Sequence, residues 1–172
     1  MKSVLFFVIA SLITFGACAQ QDKSKRPSPP AKVSETNKNG VVISIDYSQP
    51  SLKGRTIGKD VEPMAGKVWR TGANEATVFE ISKDAKVEGK PLAAGKYGLF
   101  SIANGDDWII IFSKTWNQWG LSYKEADDVL RVHVKAGKAP AKAEKMTFGI
   151  NKDGKVTPVS YTHLTLPTIL RV

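Results

Sequence analysis

The sequence predicts an all-β protein: a single-domain antiparallel β-sandwich or jelly-roll-like fold of about eight strands. Three observations carry this expectation. From Val41 onward the apolar residues alternate with a period of two rather than 3.6. Turn residues recur at the spacing of short sandwich strands. The sole helical stretch, SYKEADDVL around Lys124–Asp128, reads as a single turn.

The chain opens with MKSVLFFVIASLITFGACAQQ, one lysine before an apolar run from Val4 to Phe15 and then small residues. Spanning a bilayer takes about 20 apolar residues, so the run fits instead the hydrophobic region of a secretory signal over residues 1–19. Two processing readings stand open. Ala17-Cys18-Ala19 fits an A-x-A site, with the mature chain starting at Gln20. Phe15-Gly16-Ala17-Cys18 resembles a loose bacterial lipobox, which makes Cys18 the candidate for lipidation. Cys18 is also the single cysteine, so no internal disulfide can form and no catalytic thiol is left in the folded part. Residues 20–40 are polar and contain proline, a composition that cannot bury a core. They are expected to be a flexible tether.

The β-domain is expected over residues 41–158. In VVISIDY, Val41, Ile43, Ile45 and Tyr47 share a face. In ATVFEIS, Thr77, Phe79 and Ile81 oppose Val78 and Glu80. Residues 83–94 supply a turn, a short strand and another turn. KYGLFSI alternates, and ANGDD after it has hairpin chemistry. WIIIFS is apolar without alternation, the mark of a central strand covered on both faces. VLRVHVK alternates again, with His133 on the outward face. MTFGI, NKDGK and VTPV read as strand, tight turn and partner strand. Ser48 to Val68 breaks the pattern. So long a loop in a compact domain is usually functional or disordered, and here it leads straight into Trp69.

The net charge is +9, from 25 basic and 16 acidic residues. The lysines are scattered, with no basic helix and no aromatic–basic RNA motif, so nucleic acid is excluded as the expected partner.

DYSQPSLKGRTIG, VWRTGANEATVFEIS, GKPLAAGKYGLFSI and WIIIFSK, in that order, resemble the bacterial envelope family catalogued as domain of unknown function 2911. The resemblance covers about Arg26 to Pro158 and implies a secreted or periplasmic all-β protein. It implies no activity, and no catalytic residue can be carried over from it. VSYTHLTLPT, residues 159–168, resembles a translated sequencing adapter. That resemblance implies an artefactual tail over 159–172 and a domain truncated at its C-terminal end.

The residues suggest two binding regions. Arg55, Arg70, Asn74 and Glu75 offer two guanidinium forks, an amide and a carboxylate, and Trp69 can anchor the bend that carries them. Glu75 is expected to pair with Arg70 or Arg55, either pinning the loop or lining a pocket. In KTWNQWG, Trp116 and Trp119 either plug the end of the sandwich or form an aromatic platform for a sugar ring. Catalytic patterns are thin. His133 sits on a solvent-facing position, and a glycosidase needs two facing carboxylates, which Glu75 with Asp60 or Glu62 could supply. No cofactor or metal site is expected. The leading expectation is a non-catalytic, exported ligand-binding module for a carbohydrate or small anionic ligand, in the periplasm, at the outer membrane or outside the cell. Membrane attachment would come only through lipid on Cys18. A glycan hydrolase using Glu75, and a purely structural envelope domain, are the alternatives.

Overall fold

The computed structural model describes residues 22–138, 143–160 and 164–165. The signal segment and Cys18 therefore lie outside the described residues. The chain is all-β and antiparallel, as its period-two patterning requires. Its strands are β1 (Pro30–Thr36), β2 (Val42–Ser48), β3 (Val68–Trp69), β4 (Ala73–Ile81), β5 (Ala85–Val87), β6 (Lys90–Leu92), β7 (Gly95–Asn104), β8 (Asp107–Ser113), β9 (Asp128–Lys135), β10 (Gly137–Lys138), β11 (Thr147–Ile150), β12 (Val156–Ser160) and β13 (Leu164–Thr165). Two single 3₁₀ turns, Lys23–Lys25 and Glu125–Asp127, complete it. No described helix is long and apolar enough to cross a membrane.

One large sheet dominates, in the order β1-β2-β4-β7-β8-β9, with β3 also paired to β7. A smaller sheet, β10-β13-β12-β11, and the β5-β6 hairpin accompany it. The main core joins one face of the large sheet to Met146, Phe148 and Val156 from the smaller one. Its aromatic rings meet edge to face, Phe79 on Phe112 at 5.2 Å and Tyr47 on Phe148 at 4.8 Å, a geometry that the ring quadrupoles favour. Burying each such side chain contributes about 2–3 kcal/mol.

The central strands are covered on both sides, which explains why WIIIFS does not alternate. Ile110 and Phe112 face the main core. Ile111 joins Phe100 and Ala76 in a second cluster on the opposite face. Tyr123, from the segment after β8, packs on Phe100 at 4.9 Å. That segment, Lys114–Asp127, is thereby held against the outer face of the sheet, which brings its tryptophans toward β4.

One expectation needs correction. The flexible tether over 20–40 is instead ordered from Asp22. It forms a 3₁₀ turn capped by the Asp22 side chain, then β1, which pairs with β2 along its whole length. Ala31 and Val33 tuck their side chains inward while Lys32 and Ser34 face out. This is an edge strand blunted by charge and begun by a proline, where a missing N–H costs nothing. Its mixed composition disguised it. The long stretch 48–68 is tied down along its length. Leu52 N donates to Glu144 O at 2.9 Å and Gly66 N to Ala103 O at 2.8 Å. Leu52 is buried, with Ile57 and Val61 packed on the same core. Of the adapter-like tail, β12 takes in residues 159–160, and β13 pairs with β12 and β10. The rest lies outside the described residues.

Candidate functional site

The segment Trp69–Glu75 leads from β3 to β4, which run in the same direction along β7, through a tight bulge. Trp69 is buried, and its indole N–H donates to the Gly72 carbonyl at 3.0 Å. Thr71, completely buried, has φ +50°, and Asn74 has φ +56°. A β-branched residue in the left-handed region is a steric outlier that persists only where its surroundings enforce it. Here the Thr71 hydroxyl bonds the Ser101 hydroxyl at 2.9 Å, and Thr77 Oγ1 donates to the Thr71 carbonyl at 3.0 Å. A Cβ on Gly72 would lie 2.7 Å from Thr77 Oγ1, so only glycine fits. Asn74 Nδ2 donates to the Ser28 carbonyl at 3.0 Å, tying the bulge to the N-terminal lead.

Glu75 does not pair with Arg70 or Arg55. Arg26 Nη1 donates to both of its carboxylate oxygens, at 2.9 and 3.1 Å, and Lys23 Nζ lies 3.0 Å away. Burial opposes ionisation of Glu75, but hydrogen bonds from Arg26, from the backbone and from Lys23 outweigh it. The carboxyl is pulled down to about 2. Arg55 is exposed and caps its own turn, with Nε on Leu52 O at 3.0 Å and Nη2 on Ser51 O at 2.8 Å. Arg70 turns the other way. Its stem packs over Gly120, where an added Cβ would lie 1.9 Å from Arg70 Cδ. The expected cluster of four is therefore divided: Glu75 meets Arg26 and Lys23, Arg70 lies over Gly120, and Arg55 stays on its own turn.

The two regions that looked separate in the sequence are joined. Glu75 and Trp119 form an antiparallel bridge. Ala76 N donates to Gln118 O, and Gly120 N to Asn74 O, each at 3.1 Å. These bonds hold the Trp116–Trp119 loop beside Glu75. Trp116 is 37% exposed and Trp119 50%, so neither plugs the core. Lys96 Nζ stands 5.2 Å from the Trp116 ring centroid, a cation–π contact. Between the loop, the lead and β2 lies a cleft of about 550 Å³, walled by Lys23, Arg26, Asp46, Glu75, Trp116 and Trp119. A second hollow of about 540 Å³ lies on the far side of Arg26 and Trp119. Sequence reasoning missed Lys23 and Arg26. The one signal for them was a basic cluster, KSKR, directly ahead of a strand hidden by its prolines.

The carboxylates do not assemble as the hydrolase alternative requires. Asp60 and Glu62 line a separate recess with Arg70, away from the cleft that holds Glu75. Asp46 does share the cleft, but it is paired with Lys32 at 2.9 Å. His133 is exposed on β9. Among the described residues, no three His, Cys, Asp or Glu side chains gather as a metal-binding group.

No curated protein and no solved structure matches the chain. A family model does, over residues 28–161, a span that holds the strained bulge, Glu75 and both cleft tryptophans, with Lys23 and Arg26 just ahead of it. The chain thus belongs to the family described as protein of unknown function (DUF2911).

Proposed function

We propose that the chain is an exported, non-catalytic binding module that takes a carbohydrate in the cleft between the Trp116–Trp119 loop and the N-terminal lead. One observation carries the reading: two exposed indoles flank a fixed ionic group in a cleft large enough for a sugar unit. Indole faces suit the apolar faces of sugar rings, and a few placed polar groups orient them. Lys23 and Arg26 bring two positive charges against the single carboxylate of Glu75. The group is thus net positive by one, which favours an acidic sugar. Export rests on the leader sequence, with Cys18 the candidate for a lipid anchor.

A glycan array probed with the wild-type chain and with Trp119→Ala tests the reading. Acidic glycans should be retained by the wild type and lost by the variant. Identical profiles, or no retained glycan, would remove the proposal.

The structural alternative has one observation in its favour: the Glu75 carboxylate is already satisfied by Arg26 and Lys23. On that reading the pair only fastens the lead, and Trp119→Ala changes neither stability nor binding. The hydrolase alternative has Glu75 as general acid or base: a carboxyl pulled to about 2 is ionised at neutral pH and has no proton to give as an acid, and as a base it lacks the facing Asp60 or Glu62, which line another recess.

A further inference from the structure

Arg70 opens the most conspicuous motif of the chain, but its head group is unused. Its Nε is fully shielded from solvent and has no partner, and the guanidinium makes no hydrogen bond or ion pair to a described residue. A shielded donor on a charged group is costly to leave unpaired. Burial correspondingly pulls its pKa down, with Glu62 pulling the other way. The stem cannot swing aside freely, because Gly120 and the Asn74 carbonyl sit beneath it. The backbone that carries it is fixed by the strained, hydrogen-bonded Thr71.

Arg70 lines a recess of about 240 Å³, floored by Trp69 and Gly72 and walled by Asp60, Glu62 and Met64. Each of the two carboxylates has one oxygen occupied by its own loop: Glu62 Oε2 accepts from Met64 N at 2.6 Å, and Asp60 Oδ2 from Thr56 N at 2.9 Å. Neither forms an ion pair with a described cation. The recess thus presents a guanidinium fork with no hydrogen-bonded anion opposite two carboxylates with no hydrogen-bonded cation, Glu62 acting on Arg70 only as a charge across the gap. A simple anion would meet both carboxylates, and a simple cation would meet Arg70. A molecule carrying both charges a few ångströms apart satisfies both walls.

We propose that this recess binds the zwitterionic end of an amino acid or short peptide. Its carboxylate lies on the Arg70 fork, where a bidentate pair is available, and its ammonium faces Glu62 and Asp60. The site is distinct from the tryptophan cleft and does not depend on the carbohydrate reading.

Isothermal titration of the purified chain with glycine and diglycine, and with acetate and methylammonium as half-ligands, tests this. Glycine or diglycine should bind roughly tenfold or more tightly than either half-ligand, since each half leaves one wall unpaired. Arg70→Lys keeps charge and stem but loses the fork, and should weaken binding by about tenfold. Glu62→Gln should erase the preference for glycine over acetate while leaving the fold intact, so the proposal stays testable even if Arg70→Lys does not fold. Equal affinity for glycine and acetate in the wild type, undiminished glycine binding by Arg70→Lys, or no heat with any of the four would overturn it and leave a recess filled by water.

Discussion

Arg26 Nη1 reaches both carboxylate oxygens of Glu75, at 2.9 and 3.1 Å, across 49 positions of sequence. The contact fastens the N-terminal lead to the start of β4 and builds one wall of the tryptophan cleft. Glu75→Gln should therefore loosen the lead before it unfolds the domain. With the Glu75 side chain 38% exposed, solvent screening holds the loss to about 1 kcal/mol, a fall in Tm of about 3 °C. Limited trypsin digestion should cut faster at Lys23 and Lys25 in the variant. Unchanged cutting there would show that the pair does not hold the lead.

The same carboxylate sets a pH dependence. Its folded value of about 2 lies below the ordinary 4.5, so folding favours its ionised form. The stabilisation is complete above about 4.5 and disappears as pH falls toward about 2. Denaturant titrations of wild type and Glu75→Gln should differ by a constant amount from pH 6 to 8, and the two curves should converge in acid. A gap that widened as pH fell would contradict the assignment.

Gly120→Ala should be costly although the residue lies in a loop. Its Cβ would sit 1.9 Å from Arg70 Cδ and 2.7 Å from the Asn74 carbonyl oxygen. The arginine stem has little room to move and the carbonyl belongs to the strained bulge, so overpacking of about 1–3 kcal/mol is expected. The variant should also expose Trp119 further, read as a red shift of tryptophan emission. A Tm within 1 °C of the wild type, on the order of measurement error, would mean that the loop is looser than the bridge to Glu75 implies.

Asn74 separates backbone strain from hydrogen bonding. At φ +56° glycine is at ease and alanine is not. Both substitutions lose the bond to the Ser28 carbonyl. Asn74→Ala should therefore be less stable than Asn74→Gly by about 1 kcal/mol, measured by chemical denaturation. The reverse order would show that the left-handed backbone at this position is not retained in solution.

The comparison of pattern with structure is uneven in an instructive way. The alternation of Ile43, Ile45 and Tyr47, the hairpin at Gly105, and the doubly covered strand at Ile109–Phe112 were all legible, because each is a local pattern of side chains on a pleated backbone. β1 was not, since Pro30 and its polar neighbours look like a linker until β2 is there to pair with it. The candidate site divided along the same line. Trp69, Asn74, Glu75, Trp116 and Trp119 were singled out from local sequence, but the partner expected for Glu75 was not the one it meets. Arg55 and Arg70 were the obvious cations by proximity in sequence, whereas Glu75 is met by Arg26 and Lys23.

By itself, then, the sequence determined an antiparallel β-protein with its main strands and turns, for these depend on periodicity and turn chemistry over a few residues. The tertiary structure alone decided which charges meet, that the Trp116–Trp119 loop bridges to Glu75, and that Arg70 faces a recess of its own. The first two of these join residues 40 or more positions apart. They are set by how strands stack and cross, which no local pattern of side chains encodes.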